Sequence, residues 1–255
     1  MTDHSTRPSW QYKLVAVLAC ASMAVAVGCS TPSGADEAPD KPIEEPRDHD
    51  QHHHHDHGDE AGHHDHSFDD PEEYAQRWNA PERDQWQQPE AIIEAMGIEE
   101  GMTVADIGAG TGYFIPFLSE AVGENGTVIA VDVEESMLQF IEEMANEKGL
   151  TNVETRLPGE GESGLDEASV DRILIVNTWH HIPNREEYSA HLRERLIDGG
   201  SVWNVDFHED SPAGPPPQHR LAPEVVVAEM EAGGFTAEVH ELRLERQYIV
   251  VATVE

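Results

Sequence analysis

The sequence predicts an α/β protein built on a mostly parallel sheet, and three observations carry that expectation. From Met102 onward, short β-branched apolar runs alternate with stretches of helical spacing. The run at 104–107 ends in glycines at 108, 110 and 112 and reads directly into a helical stretch. The last two apolar runs have no helical stretch between them, so they should pair antiparallel.

Pro71 to Trp78 and Pro89 to Met96 have helical spacing, each starting at a proline, whose missing N–H is harmless in a first turn. Residues 67–101 therefore form helices ahead of a core at 102–255. That core opens with a strand at Met102–Ile107, a helix from Thr111 to Val122, a strand at Thr127–Val133, a helix from Glu135 to Lys148 and a strand at Asn152–Arg156. This is a βαβαβ unit, whose strands lie parallel. A fourth strand at Val170–Asn177 leads to a helix near Arg185–Leu196, a fifth strand at Ser201–Phe207 and a helix at Pro223–Ala232. Phe235–Leu242 and Tyr248–Val254 close the sheet as its sixth and seventh strands.

Chemistry concentrates at the first strand end. Gly108, Gly110 and Gly112 take backbone angles closed to other residues and let a ligand lie against bare main chain, while the N–H groups of the following helix attract an anion. The dinucleotide fingerprint Gly-x-Gly-x-x-Gly is not met, because Tyr113 stands where its last glycine belongs. The run Thr127 to Asp132 places a second carboxylate 26 residues after Asp106, the spacing of the next strand in such a unit. A carboxylate there accepts hydrogen bonds from both hydroxyls of a ribose. Capping of the helix that begins near Glu134 is the other use open to Asp132.

Asp-x-Gly-x-Gly-x-Gly over 106–112, followed by Asp132, resembles the cofactor motifs of the class I S-adenosylmethionine-dependent methyltransferases. The resemblance covers Met102 to Glu255. It implies a Rossmann-like, seven-stranded, mostly parallel sheet with an antiparallel last strand and helices on both faces. It also implies S-adenosylmethionine as cofactor and a small molecule as methyl acceptor. Asp106 would face the methionine ammonium and Asp132 the ribose, with Gly108, Gly110 and Gly112 under the ligand. The family often carries an acid for the adenine amino group after the third strand; Gly159 aligns there, and Glu160 or Glu162 is the substitute. Helices before Met102 would close over the pocket, with Tyr74, Trp78 and Trp86 as its apolar lid or as ordinary packing.

Asn-Thr-Trp-His-His-Ile at 177–182 resembles the histidine pair of small-molecule members, not the Asn-Pro-Pro-Tyr loop of amino-group methylases. His180 and His181 are thus candidate general bases toward a hydroxyl, amine or thiol, or else residues that cap the next helix. A base is optional, since displacement at a sulfonium proceeds through positioning and desolvation. His208, His219 and Arg220 flank a proline-rich connector after the fifth strand. They are candidates for the substrate side, Arg220 suiting a carboxylate or phosphate, or simply polar residues of a connector.

The first quarter of the chain belongs to no such core. Leu14 to Gly28 is uncharged and apolar, follows Arg7 and Lys13, and is short for a bilayer span, so it reads as an export signal. Ala-Val-Gly-Cys at 26–29 resembles the lipobox of bacterial lipoproteins, with alanine in place of the usual leucine. It implies lipidation of Cys29 and a lipid-anchored protein of the cell envelope, at the outer membrane or periplasmic face. Residues 30–66 have almost no large apolar residue and read as a disordered tether. Its His52, His53, His54, His55, His57, His63, His64 and His66, interleaved with Asp, suit loose binding of zinc or nickel, or merely a solvated polar tract.

Composition removes several functions. Cys20 and Cys29 are the only cysteines, so residues beyond them hold no disulfide and no thiolate metal site. The formal charge is −36, and from Ser67 onward 39 Asp plus Glu stand against 11 Lys plus Arg, a net −28, which disfavours nucleic acid as a partner. S-adenosylmethionine is a cytosolic metabolite, whereas a lipoprotein normally faces away from the cytosol. A non-catalytic, surface-tethered protein binding metal or a nucleoside is therefore the second reading. An NAD-dependent oxidoreductase is the third, weakened by Tyr113.

Overall fold

The computed structural model describes residues 70–255, and the expected export signal, Cys29 and the histidines at 52–66 lie outside them. Helix α1 (Pro71–Trp78) is capped by Asp70, whose side chain accepts from the Glu73 N–H at 3.1 Å. Helices α2 (Glu82–Gln87) and α3 (Pro89–Ala95) follow. The sequence gives no sign of α2, a six-residue helix with Gln87 as its one buried residue and hence no apolar period.

The core then runs β1 (Thr103–Ile107), α4 (Ile115–Val122), β2 (Thr127–Val131), α5 (Glu135–Lys148), β3 (Val153–Arg156), β4 (Val170–Val176), α6 (Arg185–Arg195), β5 (Leu196–Phe207), α7 (Pro223–Ala232), β6 (Thr236–Val239) and β7 (Gln247–Thr253). Single 3-10 turns lie at Trp179–His181 and Pro217–His219. The seven strands form one sheet in the order β3-β2-β1-β4-β5-β7-β6. Strands β1 to β5 pair parallel, and β7 runs antiparallel to both β5 and β6. The order reverses between β1 and β4, which opens a crevice at their carboxyl ends.

Three boundaries differ from expectation for local reasons. Helix α4 begins at Ile115, not Thr111, because the left-handed backbone at Gly110 and Gly112 holds off regular helix until Pro116 can occupy its first turn. Strand β5 begins at Leu196, with a shift of register against β4 between Val170 and Arg172. Strand β6 ends at Val239 and is mostly exposed, an edge strand whose apolar pattern runs on into a loop.

Two apolar clusters sandwich the sheet. Ile173, Ile175, Val202 and Val250 pack with Leu192 of α6 and Met230 of α7. On the other face Val104, Leu174, Val205 and Ile249 pack with Ile92, Leu118 and Ile141 of α3, α4 and α5. This alternation along single strands is what a parallel sheet covered on both faces requires. Among the described residues no helix is long and apolar enough to cross a membrane.

Candidate functional site

Gly108, Gly110 and Gly112 all lie at positive φ, 73°, 55° and 72°. A Cβ on Gly108 would stand 2.3 Å from Thr178 Oγ1, so the turn is bare where the end of β4 lies against it. The N–H groups of Gly108 and Ala109 donate to Val131 O at 2.8 and 3.0 Å, tying the turn to β2. Gly110 N–H donates to Asp132 Oδ2 at 2.7 Å, and Glu134 N–H donates to Oδ1 at 3.0 Å. Asp132 thus faces the glycine turn and steadies the entry to α5. Burial raises its pKa above the ordinary carboxylate value, against these backbone donors.

Asp106 is 3 % exposed, and burial pushes its carboxyl up to about 7, with Asp132 adding to the rise and Arg83 opposing it. Arg83 comes from α2. Its guanidinium lies 3.8 Å from the Tyr113 ring centre and donates to Trp78 O at 2.8 Å, and burial brings its pKa down to about 10. The segment around it is fastened to the turn. Tyr113 donates to Asp84 at 2.5 Å, Thr111 Oγ1 donates to Asn79 Oδ1 at 2.7 Å, and Asn79 Nδ2 donates to Thr111 O at 3.1 Å. Of the three aromatics considered for a lid, Trp78 lies 3.5 Å from where Gly110 would carry a Cβ, Tyr74 packs tilted on Trp78 with ring centres 4.6 Å apart, and Trp86 stands 6.0 Å from Phe207. Sequence reasoning missed Arg83. The available signal was one of few basic residues in an acidic chain, between two tryptophans.

At the end of β4, His180 Nδ1 meets Asp206 Oδ2 of β5 at 2.8 Å, with the two side chains 3 % and 1 % exposed. The His181 ring packs on His180 at 4.2 Å and is the more exposed of the two. Trp179 anchors this turn by donating to Glu229 at 2.8 Å, a carboxylate also held by Arg185. Asp206 was a second omission, since the pairing joins residues on different strands and nothing local marks it. A third was Gln247, whose buried amide links Gln87 of α2 to Asn177.

Arg220 has an occupation other than the anion site expected of it. Its guanidinium donates to the carbonyls of Pro215, His208, Glu209, Ser211 and Ala213, at 2.6–3.4 Å, and so organises the proline-rich connector. With its donors spent on main chain it has little left for a carboxylate. Gly214 of that connector presses on the Phe207 ring, seating the loop at the end of β5. His208 stands there with its ring 5.9 Å from Tyr248, while His219 lies in the 3-10 turn of the connector. Glu160 is on an exposed turn beside Gly159 and Gly161. Nearer Asp132, exposed Val133 and Leu157 leave apolar surface at the ends of β2 and β3. Among the described residues no group of three or more His, Cys, Asp or Glu is placed to hold a metal.

Comparison with known proteins agrees with this geometry. A family model described as a methyltransferase domain matches residues 98–222. A protein-L-isoaspartate O-methyltransferase of Methanococcus maripaludis is 32 % identical over 112 residues, covering 44 % of this chain and 50 % of the relative. The ubiquinone/menaquinone biosynthesis C-methyltransferase UbiE of Shewanella pealeana is 28 % identical over 130 residues, 51 % of this chain and 49 % of the relative. The chain spans about half the length of these curated relatives. The crystal structure of a SAM-dependent methyltransferase from Aquifex aeolicus is 30 % identical, with a TM-score of 0.68, over 73 % of this chain and 99 % of that one. With the glycine turn, Asp132 and the seven-stranded order in place, the chain belongs to the class I S-adenosylmethionine-dependent methyltransferase family.

Proposed function

We propose that the protein transfers a methyl group from S-adenosylmethionine to a small-molecule acceptor. The observation that carries this reading is the pair of side chains of opposite charge beside the glycine turn, buried Asp106 and half-buried Arg83, whose guanidinium lies over the Tyr113 ring. A zwitterionic amino-acid end matches both, its ammonium on Asp106 and its carboxylate on Arg83. Asp132 takes the ribose hydroxyls, Val133 and Leu157 offer apolar surface to the adenine, and Glu160 is the acid nearest its amino group in sequence. Bound S-adenosylmethionine supplies an electrophilic methyl on a sulfonium. His180 accepts the proton of a protonated acceptor, with Asp206 holding its Nδ1 and so leaving Nε2 as the basic nitrogen. The His181 ring packs beside it. The relatives are by name an O-methyltransferase in one case and a C-methyltransferase in the other, so likeness over half their length does not choose the acceptor.

The test is stabilisation of the full chain by S-adenosylhomocysteine. At a hundredfold excess over Kd, mass action adds about 2.7 kcal/mol, a clear rise in Tm. A Tm indifferent to it sinks the reading, and stabilisation by NAD instead moves the protein to the oxidoreductases. Binding without transfer to any acceptor leaves a tethered binding protein as the better account. Outside the described residues, we propose on sequence alone that Cys29 carries a lipid anchor and that the tether histidines bind zinc or nickel loosely. Loss of lipid labelling in Cys29→Ser, and of metal binding on deletion of residues 30–66, are the expected results.

A further inference from the structure

We infer that the methyl acceptor is an oxygen, because the amide at the end of β4 is held as a hydrogen-bond donor by a buried relay that begins at Arg83; this rests on the methyl-transfer reading above. A guanidinium donates and never accepts. Arg83 Nε and Nη2 both donate to Gln87 Oε1, at 3.2 and 3.1 Å, so the oxygen of that amide must face Arg83 and its nitrogen must point away. Gln87 Nε2 donates to Gln247 Oε1 at 2.5 Å, and Gln247 Nε2 donates to Asn177 Oδ1 at 2.5 Å. Gln87 and Gln247 are fully buried, so neither has water to rescue a reversed orientation. Flipping any one amide sets donor against donor or acceptor against acceptor in the interior. The polarity fixed at Arg83 therefore runs through to Asn177, whose remaining polar atom is Nδ2, a donor. Asn177 directly follows β4 and precedes Thr178, whose side chain lies against Gly108, so the residue sits at the carboxyl end of β4 next to the switch point.

A donor there selects among nucleophiles. A neutral amine nitrogen has one lone pair; once Asn177 holds it, none is left to attack. An amine needs an acceptor at this place, to orient it through its own N–H. An oxygen keeps a second lone pair after accepting one hydrogen bond. That pair forms the new C–O bond while the C–S bond breaks, and the sulfur keeps the bonding electrons as a neutral thioether. A carboxylate brings no proton to the step, and a hydroxyl gives its proton to His180. Sulfur accepts hydrogen bonds only weakly, so a thiolate gains little from the same donor.

The experiment loads the full chain with S-adenosylhomocysteine and titrates sodium benzoate, phenol and aniline. It follows the side-chain amide signals of Asn177 by nitrogen NMR, assigned by their loss in Asn177→Asp. Benzoate or phenol should shift those signals and bind about tenfold more tightly than aniline, the worth of roughly one hydrogen bond. Benzoate against phenol separates the carboxylate from the hydroxyl class. Gln87→Glu reverses the relay: the new carboxylate accepts from both Arg83 and Gln247, Gln247 turns its oxygen to Asn177, and Asn177 presents Oδ1. The preference should then move toward aniline by about tenfold. Gln247→Leu cuts the relay and should flatten the preference, which serves if Gln87→Glu does not fold. Aniline binding the unaltered chain as well as the oxygen probes, a preference unmoved in the variants, or Asn177 signals indifferent to all three probes overturns the inference. Failure of S-adenosylhomocysteine to bind, read in its own titration, overturns the methyl-transfer reading instead.

Discussion

Asp106→Asn is the substitution in which stability and function should part most clearly. In the folded chain the Asp106 carboxyl titrates at about 7 against 3.8 for the free group, chiefly because it is buried. Ionising it inside the protein therefore costs about 4 kcal/mol above pH 7, at about 1.4 kcal/mol for each unit. The raised value means that the folded state holds its proton longer than the unfolded chain. The cost is full above the folded pKa and relieved as pH falls through 7 toward 4. Asparagine has nearly the same shape and never ionises. It should stabilise the ligand-free protein by about 2–4 kcal/mol at pH 8, the lower figure allowing for Arg83 losing one anionic neighbour, and by under about 2 kcal/mol at pH 5. Cofactor binding should respond in the opposite sense. Loss of a charged hydrogen bond to the ammonium is worth about 1.5–3 kcal/mol, roughly ten- to a hundredfold in Kd. The wild-type affinity should fall by that factor between pH 8 and pH 5 and converge on that of the variant. Urea denaturation across this range, paired with calorimetric titration of S-adenosylhomocysteine, reads both quantities. A stability gap that does not change with pH, or a wild-type affinity flat from pH 8 to pH 5, would refute the reasoning.

Three other substitutions probe separate parts of the structure. Asp132→Ala removes the acceptor of the Gly110 N–H as well as the ribose contacts, so Kd for S-adenosylhomocysteine should rise about tenfold or more by calorimetry; an unchanged Kd places the ribose elsewhere. Neither side-chain polar atom of fully buried Asn204 meets a protein partner, and Asn204→Leu should raise stability by about 1–3 kcal/mol in thermal melts, whereas a loss would reveal a polar contact of comparable worth. Arg220→Lys exchanges a planar fork for a point charge unable to serve five carbonyls, so amides at 208–219 should exchange hydrogen faster; an intact loop with weakened acceptor binding would return Arg220 to the ligand.

What was legible in the sequence follows from the range over which each signal acts. The parallel part of the sheet needed only the alternation of apolar runs with helical stretches, because a helical crossover returns the chain to lay the next strand parallel; the strand order, with β4 beside β1 and β7 between β5 and β6, has no local signal. The glycine turn and Asp132 were legible for a related reason, since one unusual backbone conformation and one carboxylate at a strand end each announce themselves locally. The start of α4 was misjudged by the same local reasoning, which credited helical spacing from Thr111 although glycines at 110 and 112 forbid regular helix there. Arg220 misled in another way. A lone arginine beside prolines at a sheet edge looks available, and only the traced loop places five carbonyls around it.

The contacts that decide chemistry here join residues far apart in the chain. Gln87 and Gln247 are 160 residues apart, and each alone is an ordinary polar residue beside a helix or strand end. Their pairing buries two amides in a position that sequence patterning assigns to apolar side chains, a costly choice unless each hydrogen bond is met. The same holds for His180 and Asp206, 26 residues apart on the ends of β4 and β5. The amide contacts exist because a segment ahead of the core, residues 78–87, folds back across the glycine turn and brings its own charge and amide to strand ends formed much later in the chain. The fold positions the cofactor motifs through local order, and α2 fixes the polarity of the amides it buries against the strand ends. Changes that leave the Rossmann-like core intact but loosen α2 should therefore alter acceptor preference before they alter the fold.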